Sequence, residues 1–199
     1  MNSIGLYERG FRVYSVTDKT GLGQEQLHSS AVTLIRYFNS FEESPQMTVI
    51  DISGTEFDLY HDYELIHLED VKGLFALNSV LQSASLLLVV LLVLAGVAFG
   101  HRRKVCRGLR NGAITTLALL TVTGLAFVAD FDWMFVAFHL VAFDNPFWQL
   151  NPLTDYLVML FPLGFWQDMF IFAGAGTGLM AGTICAVTIH CSRNRATTT

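Results

Sequence analysis

FALNSVLQSASLLLVVLLVLAGVAF, residues Phe75–Phe99, carries no charged side chain in 25 positions. A helix needs about 20 such residues to cross the hydrocarbon core of a bilayer. This stretch therefore predicts a spanning helix, and it decides the class of the protein. Gly112–Ala129 is a second, shorter run of the same kind. Phe170–Ile189 is a third, rich in Gly, Ala and Thr, small residues that let membrane helices approach closely. Composition agrees. Of 199 residues 52% are hydrophobic and 15% charged, and the mean hydropathy is +0.46; a soluble domain carries roughly a quarter charged residues. A disordered chain and an ordinary soluble enzyme are excluded. The formal net charge of -5 argues against nucleic acid as a partner. None of the three cysteines, Cys106, Cys185 and Cys191, lies in the first hundred residues, so there is no disulfide framework.

The charges give an orientation. Arg102, Arg103, Lys104, Arg107 and Arg110 crowd the loop between His101 and Asn111, which holds no acid, and Arg193 and Arg195 follow the third run. Residues 1–75 hold 12 acids and 5 bases, and residues 130–172 hold five Asp with no Lys or Arg. Short basic loops stay in the cytoplasm. The expected cell-membrane topology thus has loop 101–111 and the C-terminus inside, and residues 1–75 and 130–169 outside. Residues 1–12 contain no apolar core of signal length, so translocation of the acidic N-terminal domain points to a further spanning helix upstream of this sequence. The expected fold is a mainly α multi-pass membrane protein. It has three transmembrane helices, with a fourth, N-terminal one missing from this chain, a small α+β extracellular cap and an aromatic-rich outer segment. The cap covers 1–75 and the transmembrane domain 76–199, with spans at about 75–99, 112–129 and 170–190. Within the cap, Leu27, Ala31, Leu34, Ile35 and Phe38 recur at helical spacing in Thr20–Ser40. Met47–Asp51 and Thr55–Leu59 read as strands about the turn Ile52-Ser53-Gly54. Tyr63–Phe75 reads as a helix running into the first span.

Two segments carry groups that can do chemistry. In Glu64–Lys72 (ELIHLEDVK), Glu64, His67 and Asp70 step by three residues and share one helix face. A carboxylate beside an imidazole orients it and raises its basicity. The plainer account is a helix end with solvated charges, and for this segment alone it ranks first. The second segment, 131–172, holds 13 of the 25 aromatic residues, all three Trp and three of the four Pro. An interfacial aromatic belt is the plainer account here. Yet the segment is too proline-broken for one spanning helix. It also embeds His139, Asp144, Asn145, Gln149, Asn151 and Asp155 among apolar residues, and ionisable groups at membrane depth are functional by default. His28 and His61 read as exposed cap residues, and His101 and His190 as cytoplasmic helix ends. Loop 101–110 suits anionic membrane lipids. There is no G-x-S-x-G elbow, H-E-x-x-H, phosphate loop or Cys-x-x-Cys.

ELIHLEDVKGLF (Glu64–Phe75) and FHLVAFDNPFWQLNPLTDYLVMLFP (Phe138–Pro162) resemble the bacterial membrane family that includes the lipoprotein intramolecular transacylases. The layout of cap, span, basic loop, span, aromatic segment and span is similar to that family as well. The family has an additional helix before the cap, in line with the topology inferred from charge. The resemblance implies an enzyme acting on a diacylated lipoprotein N-terminus. It moves the sn-2 acyl chain of a diacylglyceryl-cysteine to the free α-amine, with no cofactor and no metal. It further implies that His67 and His139 are the catalytic groups. An ester becomes an amide, and the α-amine, with an ordinary pKa of roughly 8, must lose a proton before it attacks. A histidine near neutrality suits that step, and the nucleophile belongs to the substrate. Glu64, Asp70, Asn145, Trp148 and Asp155 are the candidates for orienting the imidazoles or binding the glyceryl oxygens. Two alternatives remain at this point. One is a non-enzymatic membrane protein with an interaction cap. The other is a metal-dependent hydrolase using His67, His139 and Asp155 or Asp144, since zinc takes such ligands.

Overall fold

The computed structural model describes residues 3–193. Met1, Asn2 and the tail that includes Arg195 lie outside the described residues, and with them the expectation drawn from the charge of that tail. Residues up to Asn78 together with Phe138–Asp168 form one compact unit, and Ser79–Ala137 with the described residues from Met169 onward form a second.

The first unit opens with two helices, α1 (Ile4–Val13) and α2 (Val16–Thr20), ahead of the expected cap helix α3 (Gln24–Asn39). The glycines at 5 and 10 weaken local propensity, and packing supplies the stability instead. Tyr7 and Phe11 are buried against Phe161, with ring centroids 5.5 and 5.8 Å apart. A Cβ on Gly10 would lie 2.6 Å from the Phe165 ring, so only glycine allows this approach. Gly21, at φ +70°, ends α2 in the left-handed region that glycine favours. Gln26 then frames the start of α3. Its Oε1 accepts the Gly23 N–H at 3.0 Å, and its Nε2 donates to the Ile50 carbonyl at 3.0 Å.

The expected hairpin is present as β1 (Thr48–Ile50) and β2 (Glu56–Asp58), antiparallel with Val49 opposite Phe57. Its turn is built by Asp51. One carboxylate oxygen accepts the Ser53 N–H at 2.7 Å, the Ser53 hydroxyl at 2.6 Å and the Thr55 N–H at 2.9 Å. These bonds, led by that of the Ser53 side chain, hold the Asp51 carboxyl below the usual carboxylate range.

Helix α4 (Asp62–Ala98) is continuous from the polar ELIHLED segment into the apolar run. In the second unit its latter part is joined by α5 (Arg102–Ala129), the start of α6 (Phe131–Ala142) and most of α8 (Leu163–Arg193), while the short α7 (Tyr156–Leu160) belongs to the first. A Cβ on Gly96 would collide with Val105, so this glycine lets the α4–α5 turn close. Phe127 stacks on Phe170 with centroids 4.9 Å apart and planes 4° from parallel. Helices α4, α5 and α8 are long and apolar enough to cross a membrane, and the rest of the chain covers almost none of their apolar stretches. A bilayer is the solvent that such bare surfaces match. The fold is therefore a mainly helical membrane protein with a two-stranded sheet. Two differences from expectation concern helix starts: α5 begins at Arg102, so the basic residues expected in loop 101–111 lie on its first turns, and α8 begins at Leu163, directly after Pro162. Proline stops a helix when interior but suits its first turn, where its missing N–H is not needed.

Candidate active site

Every candidate residue lies in the first unit. His67 is on α4 and His139 near the end of α6, and both are buried, each 7% exposed. Their ring centroids are 6.0 Å apart with planes inclined by 34°. Two histidines 72 positions apart in sequence are thus brought side by side as tilted neighbours. Trp148 packs on His139 with centroids 5.0 Å apart. Phe143, which sequence reasoning passed over, contacts both imidazoles, at 4.9 Å from His67 and 5.4 Å from His139. Nothing in local periodicity marks it among the 13 aromatics of its segment.

The His67 Nδ1 is buried and has no hydrogen-bond partner within the protein. A buried polar atom left unsatisfied costs about 1–3 kcal/mol. Such an atom in a native site calls for an explanation, and a ring nitrogen held bare beside a second imidazole is suited to meet a substrate proton. The plainer account of solvated charges does not describe Glu64 or His67, which are both buried.

The four remaining candidates divide into two pairs. Asn145 and Asp70 pair directly, with Asn145 Nδ2 donating to Asp70 Oδ2 at 2.7 Å. Asp70 lies three residues beyond His67 on α4, so this bond ties the loop after α6 to the turn that follows His67. Glu64, three residues before His67, is fully buried. Its Oε1 accepts the Leu157 N–H at 2.8 Å, its Oε2 accepts the His61 N–H at 2.8 Å, and His61 Nδ1 lies 2.9 Å from the same oxygen. Asp155 accepts the Asn151 N–H at 2.7 Å and the hydroxyls of Thr154 and Tyr63 at 2.7 and 2.8 Å. Burial by itself would raise the Asp155 carboxyl, but these hydrogen bonds outweigh it and hold the group below the usual carboxylate range.

Glu64 and Asp155 therefore spend their oxygens on the loop and on the residues around His61. His61 is half-exposed, as expected of a cap residue, yet it is part of this clamp and stacks on Tyr63. The hydrolase alternative draws His67, His139 and an aspartate into one ligand set. Among the described residues no three His, Cys, Asp or Glu side chains gather as an ion-binding group. A polar groove of about 370 Å³ between α1 and α3, lined by Glu8, Arg12, Gln24 and His28, contains neither imidazole.

The sequence model described as "Lipoprotein intramolecular transacylase Lit" matches residues 1–166. A comparison with curated proteins finds no match. Among solved structures, the chain is similar to the membrane integral lipoprotein intramolecular transacylase Lit from Bacillus cereus, at 17% identity and a TM-score of 0.75, covering 96% of this chain and 86% of that one. Two histidine variants of the same protein also match. The arginine variant does so at 17% identity, TM-score 0.66 and coverage of 96% and 81%. The alanine variant does so at 19% identity, TM-score 0.57 and coverage of 94% and 77%. At these identities the likeness speaks for the fold, and the family match extends over most of the chain. The chain belongs to the lipoprotein intramolecular transacylase family, and its activity is that of a membrane acyltransferase.

Proposed function

We propose that this enzyme moves the sn-2 acyl chain of a diacylglyceryl-cysteine lipoprotein onto the α-amine of the same cysteine, with His67 and His139 as the catalytic pair. The observation that carries this reading is the bare, buried Nδ1 of His67 beside the ring of His139. The α-ammonium first gives a proton to one imidazole. The freed amine attacks the ester carbonyl, an N–C bond forms, and the nitrogen's surplus proton passes to an imidazole. The bond between the carbonyl carbon and the sn-2 oxygen then breaks, and the leaving alkoxide takes up a proton that an imidazole delivers. The products are an amide and an sn-2 hydroxyl, and the proton first taken from the ammonium passes to solvent, one released per turnover. Two adjacent imidazoles suit such a shuttle, because a second positive charge at this separation is disfavoured and one proton serves both. Holding amine and ester together contributes up to roughly 7–11 kcal/mol at the extreme, and the buried aromatic surroundings keep competing water away.

In this reading Trp148 backs His139, the Asp70–Asn145 bond fixes the two strands of chain that bring the imidazoles together, and Glu64 and Asp155 fasten the intervening loop. The basic first turns of α5, with Arg102, Arg103, Lys104, Arg107 and Arg110, lie on the cytoplasmic side, with the cap and residues 130–169 on the outer side, where a lipoprotein N-terminus is presented. The test is a reconstituted reaction with a synthetic diacylglyceryl lipopeptide. His67→Ala and His139→Ala are expected to form no N-acylated lyso-product while retaining the parent's membrane level and thermal midpoint. Full activity in both removes the catalytic assignment.

A further inference from the structure

Phe143 is the first residue after α6, and its backbone N–H donates to the carbonyl of His139 at 3.0 Å. Its ring is 8% exposed. The Phe143 ring stands 4.9 Å from His67 at 72° and 5.4 Å from His139 at 41°, while the imidazoles are 6.0 Å apart. The three rings form a closed triangle. Phe138 supports it from outside, edge-on to both His139 and Phe143. Two residues on, Asn145 is pinned to Asp70 one turn past His67, so the backbone that carries Phe143 is held at both ends of this short stretch.

We propose that Phe143 is a positioning residue of the imidazole pair: it sets the separation of His67 and His139 and closes the space between them to water. This rests on the catalytic reading of the two histidines. A flat ring has only two side-chain torsions and fills a planar gap at low entropic cost. An aromatic ring this close to both imidazoles also biases where the proton sits, because its face and edge carry opposite partial charge. Leucine or methionine supplies comparable bulk with neither plane nor π face.

The experiment compares Phe143→Leu and Phe143→Met with Phe165→Leu in the full-length protein, using the lipopeptide reaction, its pH profile and thermal unfolding. Phe165 packs on Tyr7, Phe161 and Trp166 in the same unit and contacts neither catalytic histidine. The expected result is a 10- to 100-fold fall in kcat for either Phe143 variant, KM within threefold, and a displaced midpoint in the pH profile of kcat/KM. Phe165→Leu is expected to lower the thermal midpoint and leave the pH midpoint in place. The proposal is overturned if both Phe143 variants keep kcat within threefold, if their loss of rate comes with an unmoved pH midpoint, or if Phe165→Leu moves that midpoint as far. A His67→Ala control separates the two claims. If it is active, the catalytic reading itself fails; if it is inactive while Phe143→Leu behaves as the parent, only the positioning role is lost.

Discussion

Replacing Glu64 tests how the loop carrying Trp148 is fastened to the helix carrying His67. The carboxylate is fully buried and accepts two backbone N–H groups, those of His61 and Leu157, each at 2.8 Å. Glu64→Ala leaves both donors without their acceptor, and since both bonds are only part-buried each loss falls at the low end of the range, about 1 kcal/mol, for a total of about 2 kcal/mol. Glu64→Gln keeps one acceptor oxygen and turns an amide N–H₂ toward the other donor, so about half of that is lost. For a chain of this size 1 kcal/mol corresponds to roughly 2–4 °C in Tm. The expected decreases are therefore about 6 °C for alanine and about 3 °C for glutamine. Intrinsic tryptophan fluorescence during a thermal ramp in detergent reads them, since Trp148 and Trp166 both lie in this unit. Midpoints within 1 °C of the parent for both variants, or a glutamine variant less stable than the alanine one, would refute the clamp.

Two further outcomes follow from groups in the same unit. The Asp155 carboxyl titrates lower when folded than when unfolded. Its contribution to stability is then complete above the unfolded value of about 3.9 and disappears as pH falls through the lower folded value. Asp155→Asn should flatten the acid limb of a Tm-against-pH curve below about pH 4, and an unchanged limb would contradict this. Tyr60 is buried with its hydroxyl unpartnered, and burial, before the charge of Glu64, pushes its ionisation up. Tyr60→Phe removes a polar atom that makes no bond, so Tm should hold or rise by a few degrees, for about 1 kcal/mol gained; a drop of more than 3 °C would show that the hydroxyl has a partner.

The spans were legible in the sequence because an uncharged run needs only its own composition to identify it. The cap hairpin was legible because Ser53-Gly54 is local turn chemistry, although the part Asp51 plays in holding that turn was not. The approach of His67 to His139 was reached through the family motifs, whereas helical spacing gave only the shared face of Glu64, His67 and Asp70. Helices α1 and α2 were not anticipated, because Tyr7 and Phe11 find their burial against Phe161 and Phe165, some 150 positions away. The same holds for the loop clamp. Glu64 meets Leu157 across 93 positions and Tyr63 meets Asp155 across 92, and no periodicity of 2 or 3.6 residues encodes such pairings. Glu64 therefore read as an orienting group for His67, although its oxygens are used elsewhere. Pro162 read as a breaker because its effect depends on whether it precedes a helix or lies within one.

The most direct measurement follows the acyl group itself. A diacylglyceryl lipopeptide with a ¹³C-labelled sn-2 chain is incubated with the parent enzyme and with His67→Ala at equal membrane levels, and the fragments are read by tandem mass spectrometry. The expected result is label on the α-amine with the parent and label still on the glyceryl ester with the variant. Equal transfer by the variant, or label that never leaves the ester with the parent, would contradict acyl migration driven by the imidazole pair.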